Sequence, residues 1–141
     1  MRDLANHIEL RRAISPAAAV ADNTPFVSQI IDRTGFEQLV FAIQLGALAD
    51  ADATFAVLLE HGDASNLSDA AAVPDAQLTG TEASAGFTFA DDNKVRKLGY
   101  VGTKRYTRLT ITPANNTGNV FLSATAILAS ARYSPTAAQS A

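Results

Sequence analysis

The chain reads as an all-β protein: an antiparallel β-sandwich, jelly-roll-like, with extended N- and C-terminal arms. Three observations predict it. Apolar residues alternate with period two through residues 36–45, β-branched residues crowd into several other short runs, and turn-forming residues separate those runs at sandwich spacing.

Taken in order, residues 1–23 mix charge with alanine around Pro16 and are read as an N-terminal arm, ordered by a partner or by lying across the domain. Residues 24–32 are rich in β-branched side chains and predict a first strand. In residues 36–45, Leu39, Phe41, Ile43 and Leu45 fall on one face, the pattern of a half-buried strand. Further strands are predicted over 53–60, 86–90, 95–101, 106–112 and 120–128. The turns between them are marked by Gly62-Asp63, Asp91-Asp92-Asn93, Gly102 and Asn115-Asn116-Thr117-Gly118. Residues 67–77, with Ser68 as a possible cap and Pro74 as a breaker, predict a connection holding at most one helical turn. The sandwich domain therefore spans 24–130, and 131–141, mostly small residues around Pro135, forms a C-terminal tail.

At 141 residues the chain fits one domain with one core. A hydrophobic content of 48% against 18% charged residues excludes wholesale disorder, and a net charge of −3 gives no global attraction to nucleic acid or anionic lipid. The absence of cysteine removes disulfides and thiolate metal sites. No apolar run has the length of a membrane span. Arg11-Arg12 before an alanine-rich run mimics an export signal, but Pro16 interrupts that run.

Chemistry-bearing residues cluster in two places. Asp50 and Asp52, with Asp63, supply hard oxygen ligands of the kind calcium takes. The alanines between them and the strand that follows break the calcium-loop spacing, so a polar turn is the better reading. Glu60 and His61 pair a carboxylate with an imidazole, yet no nucleophile motif or phosphate-cradling loop accompanies them. His61 is expected to end a strand. No catalytic residue, metal ligand or cofactor site is assigned, and the expectation is a non-enzymatic protein.

The second cluster is basic. Lys94, Arg96, Lys97, Lys104, Arg105 and Arg108 lie within one short segment, interleaved with Tyr100 and Tyr106. That composition suits single-strand nucleic-acid binding. Strand alternation, however, puts Leu109 and Ile111 on one face and Tyr106, Arg108 and Thr110 on the other, so the charges need not form one patch. The preceding acidic residues Asp50, Asp52, Glu60, Asp63, Asp69, Asp75 and Glu82 offer a complement that copies of the chain, or another subunit, would meet across an interface.

The run Gly35-Phe-Glu-Gln-Leu-Val-Phe-Ala-Ile-Gln-Leu-Gly46 and the stretch Ala49-Asp-Ala-Asp-Ala-Thr-Phe-Ala-Val-Leu-Leu-Glu-His-Gly-Asp63 resemble small virion structural proteins of tailed bacteriophages. Leu98-Gly-Tyr-Val-Gly-Thr-Lys-Arg-Tyr-Thr-Arg-Leu-Thr-Ile-Thr-Pro113 and residues 119–129 extend the resemblance. It implies a head decoration, or cement, protein on the outer capsid surface of the virion, bound to the major capsid protein lattice across subunit boundaries. A homo-oligomer, with a trimer favoured by the threefold positions of a lattice, goes with that reading. From charge and position alone, Arg11, Arg12, Lys104 and Arg105 are the candidate interface contacts. The alternatives are a tail or other virion protein, a nucleic-acid-binding β-domain using the basic segment 94–108, and, further off, a carbohydrate-binding sandwich face.

Overall fold

The computed structural model describes residues 2–137. It is an antiparallel β-sandwich of two sheets. The strands are β1 (Ile8–Ile14), β2 (Phe26–Val27), β3 (Ile31–Asp32), β4 (Phe36–Leu48), β5 (Thr54–Gly62), β6 (Ala71–Ala72), β7 (Leu78–Thr79), β8 (Phe87–Thr88), β9 (Val95–Tyr100), β10 (Tyr106–Ala114) and β11 (Val120–Ala131). One short helix, α1 (Glu82–Ala85), joins them. The first sheet runs β1-β11-β4-β9-β7. In the second, β10 and β5 form the centre, flanked by β2 and β3 on one side and β6 and β8 on the other. Because β1, β4, β9 and β11 lie in one sheet and β2, β5 and β10 in the other, the chain crosses between sheets at most connections, as a jelly roll does.

The central strands follow the alternation that predicts them. On β4, Leu39, Phe41, Ile43 and Leu45 are buried, and they meet Leu98 and Tyr100 of β9, Leu122 and Leu128 of β11, and Phe55 and Leu59 of β5 in one core. Complete burial of a side chain such as Phe41 contributes roughly 1.5–3 kcal/mol. On β10, Leu109 and Ile111 face the core while Tyr106, Arg108 and Thr110 lie on the outer side.

Four places depart from the sequence expectation. Residues 24–32 form two short strands instead of one. Between them the buried Ser28 hydroxyl accepts the Leu109 N–H at 2.9 Å and donates to the Gln29 carbonyl at 2.8 Å, replacing part of a regular ladder. Gln29 then turns across to the other sheet, its N–H donating to the Ala13 carbonyl at 3.0 Å. Residues 86–90 keep only β8 as strand: the Asp91 carboxylate accepts the Thr88 N–H at 3.1 Å, and the residues between wind into a 3-10 turn.

The third is α1, which sequence reasoning left out. Gly80 turns the chain at a φ of +86°, and Thr81 and Ser84 then exchange hydrogen bonds in a capping box. Its Glu82 carboxylate accepts the Leu59 N–H at 2.8 Å, satisfying the β5 edge between β6 and β8. The fourth lies in the arm: residues 8–14 are β1, paired along β11 with Ala13 and Ile14 buried. The Ile8 and Arg12 carbonyls on its free edge accept from the Thr136 hydroxyl and the Gln29 amide. The described part of the tail lies across β1, Thr136 N–H also reaching the Asn6 carbonyl. Residues 138–141 of the predicted tail lie outside the described residues.

Candidate interaction surface

The charged residues singled out by sequence are mostly matched within the chain. Arg105 grips the Asp32 carboxylate with two bonds of 2.9 Å, and Arg11 donates to the Asp32 carbonyl while pairing with Glu9. Arg105's bonds, acting against partial burial, hold the Asp32 carboxyl well below the usual carboxylate range. Arg12 stands apart, bonded to the Ser15 hydroxyl at 2.8 Å and Gln29 at 3.1 Å. Lys104 pairs with Asp63 at 2.7 Å, an interaction that raises the lysine's pKa. Arg11 and Arg105 thus converge on Asp32, whereas Arg12 and Lys104 sit elsewhere.

The rest of the basic segment is neutralised in the same way. Lys94 and Arg96 meet Asp91 at 3.4 and 2.6 Å, and Arg108 meets Glu60 at 3.0 Å. The acidic complement to this segment is therefore inside the same chain, at Asp32, Glu60, Asp63 and Asp91. Lys97 alone of the six basic residues makes no ion pair among the described residues.

Asp50 closes a turn. Its carboxylate accepts from Asp52 N–H at 2.8 Å and from Thr117 N–H and hydroxyl at 2.7 and 3.0 Å, stapling the two turns together. These bonds lower its pKa. Among the described residues no group of three or more carboxylate or imidazole side chains is placed to hold a metal ion.

His61 is buried at the end of β5, where its Nδ1 lies 2.8 Å from the Tyr100 hydroxyl. That oxygen also accepts the Lys104 N–H at 3.0 Å, and the imidazole tautomer sets which of the two rings donates in the bond between them. Burial, then the nearby Lys104 charge, lowers the His61 pKa, and burial raises that of Tyr100. Arg33 stacks over the Tyr100 ring at 5.0 Å and donates to the Lys104 and Gly102 carbonyls. The node locks the loop between β9 and β10 to β5. Its polar atoms serve each other, which makes it a structural fastening.

What sequence reasoning missed is the outer face of the first sheet. Register aligns Leu10, Ile127, Val40, Gly99 and Thr79 in one row across all five strands. A second row carries Ile8, Ala129 and Gln38, and a third carries Arg12, Thr125, Ala42 and Lys97. Leu10, Val95 and Val101 are exposed. The first row is small or aliphatic, the other two also carry Gln38, Arg12 and Lys97, and the exposed Phe121 of β11 lies on the same face. A groove of about 690 Å³ opens at one side of this face, with Val40 and Gly99 in its floor and Thr79, Gly80, Ser84, Val95, Lys97 and Val101 around it. The available signal was Gly99 inside a strand, which marks close approach of another chain segment: a Cβ there would stand 3.0 Å from Thr79.

No protein-family model matches the chain, and no curated protein matches it in sequence. Among solved structures, the CBM22-1 and GH10 modules of a Clostridium thermocellum endo-1,4-β-D-xylanase complexed with xylohexaose share 13% identity. That alignment covers 92% of this chain and has a TM-score of 0.51. The chain spans 26% of that structure. The xylan-binding module CBM15 shares 12% identity over 93% of this chain and 95% of its own, with a TM-score of 0.46. The SPBc2 prophage-derived protein YomS shares 12% over 87% and 93%, with a TM-score of 0.39. At these identities the first likeness shows the β-sandwich fold alone, and the other two carry no argument.

Proposed function

We propose that the protein is a non-enzymatic structural protein of a tailed-phage particle that decorates the head, binding the major capsid protein lattice across subunit boundaries. The observation that carries this reading is the five-strand outer face of the first sheet. A continuous row of Leu10, Ile127, Val40, Gly99 and Thr79, flanked by Ile8, Ala129 and Ala42 with Gln38, Arg12 and Lys97 at its polar rim, supports a function of docking against protein. The resemblance of the central segments to small phage virion proteins supplies the kind of partner.

A protein that binds the assembled shell and not its separated subunits stabilises the shell by linkage, and repetition over many sites multiplies the effect. The nucleic-acid alternative loses its charge basis, since five of the six basic side chains already hold carboxylates of the same chain. Carbohydrate binding gains nothing from the row Leu10, Ile127, Val40, Gly99 and Thr79, which offers no aromatic ring for a sugar to stack on; the exposed ring on this face is that of Phe121.

The experiment is co-sedimentation of the purified protein with phage heads lacking it, together with calorimetry of the heads. Binding that raises the melting temperature of the heads, and that is lost in Ile127→Lys and Val40→Lys proteins which still fold, is expected. Absence of binding to mature heads overturns the reading.

A further inference from the structure

Among the edges of the two sheets, one stretch of β9 is left open. The strand's even-numbered residues bond to β4, as the Lys94 carbonyl does to Leu45 N–H at 2.9 Å. Its odd-numbered residues therefore point their N–H and C=O groups the other way. Gly99 uses these groups on Thr79 of β7, and Val101 N–H continues the ladder to the Gln77 carbonyl at 2.8 Å. The next partner in that register is Thr81, opposite Lys97. Gly80 diverts the chain before it arrives, and Thr81 spends its N–H on Ser84 and its carbonyl on Ala85. Val95 and Lys97 are left with edge N–H and C=O groups that bond to nothing else among the described residues.

The groove opens beside this stretch, with Gly80 and Ser84 as well as Val95 and Lys97 in its lining. We propose that this stretch of the β9 edge is a strand-addition site: an extended segment of a different protein chain, carrying a carboxylate opposite Lys97, pairs with β9 and fills the groove. The inference rests on the function proposed above for the source of that segment, the shell protein, and specifies how the face is engaged.

Three features select the occupant. Open donors and acceptors repeating every second residue match an extended peptide backbone. Lys97 is exposed and lacks the carboxylate that each of its basic neighbours has, so an acidic side chain on the incoming strand completes the pattern. A second copy is disfavoured, since antiparallel pairing of two such stretches sets Lys97 opposite Val95 and supplies it no carboxylate.

The test is amide NMR of the whole chain with three probes: the hexapeptide Thr-Val-Glu-Val-Thr-Val, the same peptide with Lys in place of Glu, and xylohexaose. At saturation the acidic peptide is expected to slow hydrogen exchange at Val95 and Lys97 by about tenfold or more. It should bind roughly two- to fivefold more tightly than the basic one, the range of a cross-strand charge pair. Lys97→Glu should invert that preference. Val95→Pro, which removes one edge N–H and none of the bonds to β4, should weaken both peptides; if that variant fails to fold, Lys97→Glu still decides.

Unchanged exchange at Val95 and Lys97 with both peptides overturns the inference, as does a response to xylohexaose alone. So does sedimentation equilibrium showing dimers that Val95→Pro dissolves. Head binding that survives with no peptide response sinks this inference and leaves the decoration reading standing; a peptide response without head binding does the reverse.

Discussion

Replacing Tyr100 by Phe removes one hydroxyl from the interior and keeps the ring. Tyr100 is 1% exposed, so the apolar burial and the stacking of Arg33 over the ring are retained. Two hydrogen bonds are lost: the one received from Lys104 N–H and the one shared with His61 Nδ1. Each contributes about 1 kcal/mol net, and the part-buried groups left behind lose a partner they cannot easily replace, so the expected cost is about 2–3 kcal/mol. For a domain of this length, the unfolding entropy of about 0.3 kcal/mol per degree converts that to a melting temperature lower by roughly 7–10 °C. Calorimetry with urea unfolding measures it. A double-mutant cycle with His61→Gln should return a coupling of about 1 kcal/mol, because the pair share one bond. A Tyr100→Phe protein within about 0.5 kcal/mol of wild type would refute the claim that this node fastens β9 and its following loop to β5.

His61 also sets a pH dependence. Its pKa is lowered in the folded protein, so it stays neutral where the unfolded chain's histidine is charged; its contribution is full above about pH 6.5 and is lost as pH falls through the folded value, at no more than about 1.4 kcal/mol per pH unit. His61→Gln should flatten the urea midpoint between about pH 7 and 5, with His7→Gln as control, and equal slopes in wild type and His61→Gln would count against it. Ser28→Ala leaves the Leu109 N–H without its acceptor and should cost about 1–2 kcal/mol, with faster amide exchange at Leu109; unchanged exchange there would show that another group had taken over.

The long strands were legible because alternation is a local property. Leu39, Phe41, Ile43 and Leu45 repeat at the period of a pleat, and the structure buries those residues on β4. The expected strands over 53–60, 106–112 and 120–128 likewise appear as β5, which starts one residue later, and as β10 and β11, all three running past their expected ends by two or three residues. The failures share a cause. Ser28 breaks 24–32 through a bond to Leu109, a residue distant in sequence. β1 has no marked alternation of its own and becomes a strand by docking on β11. α1 is held by a capping box too short to carry periodicity and by Glu82 reaching β5.

The candidate site was legible in composition and hidden in pairing. Segregation of six basic residues from the preceding acids can be read along the chain, and it suggests charge meeting charge. Only folding decides that Arg105 meets Asp32, Lys104 meets Asp63 and Arg108 meets Glu60 in the same molecule.

By itself, then, the sequence determined the β-sandwich class, the faces of the central strands and the places of most turns, because period and turn chemistry act over a few residues. The tertiary structure decided which charges are satisfied, how residues 8–14 are used, and that Leu10, Ile127, Val40, Gly99 and Thr79 form one row beside an open edge. Those outcomes depend on strand order and register, which long-range packing selects and no local pattern records.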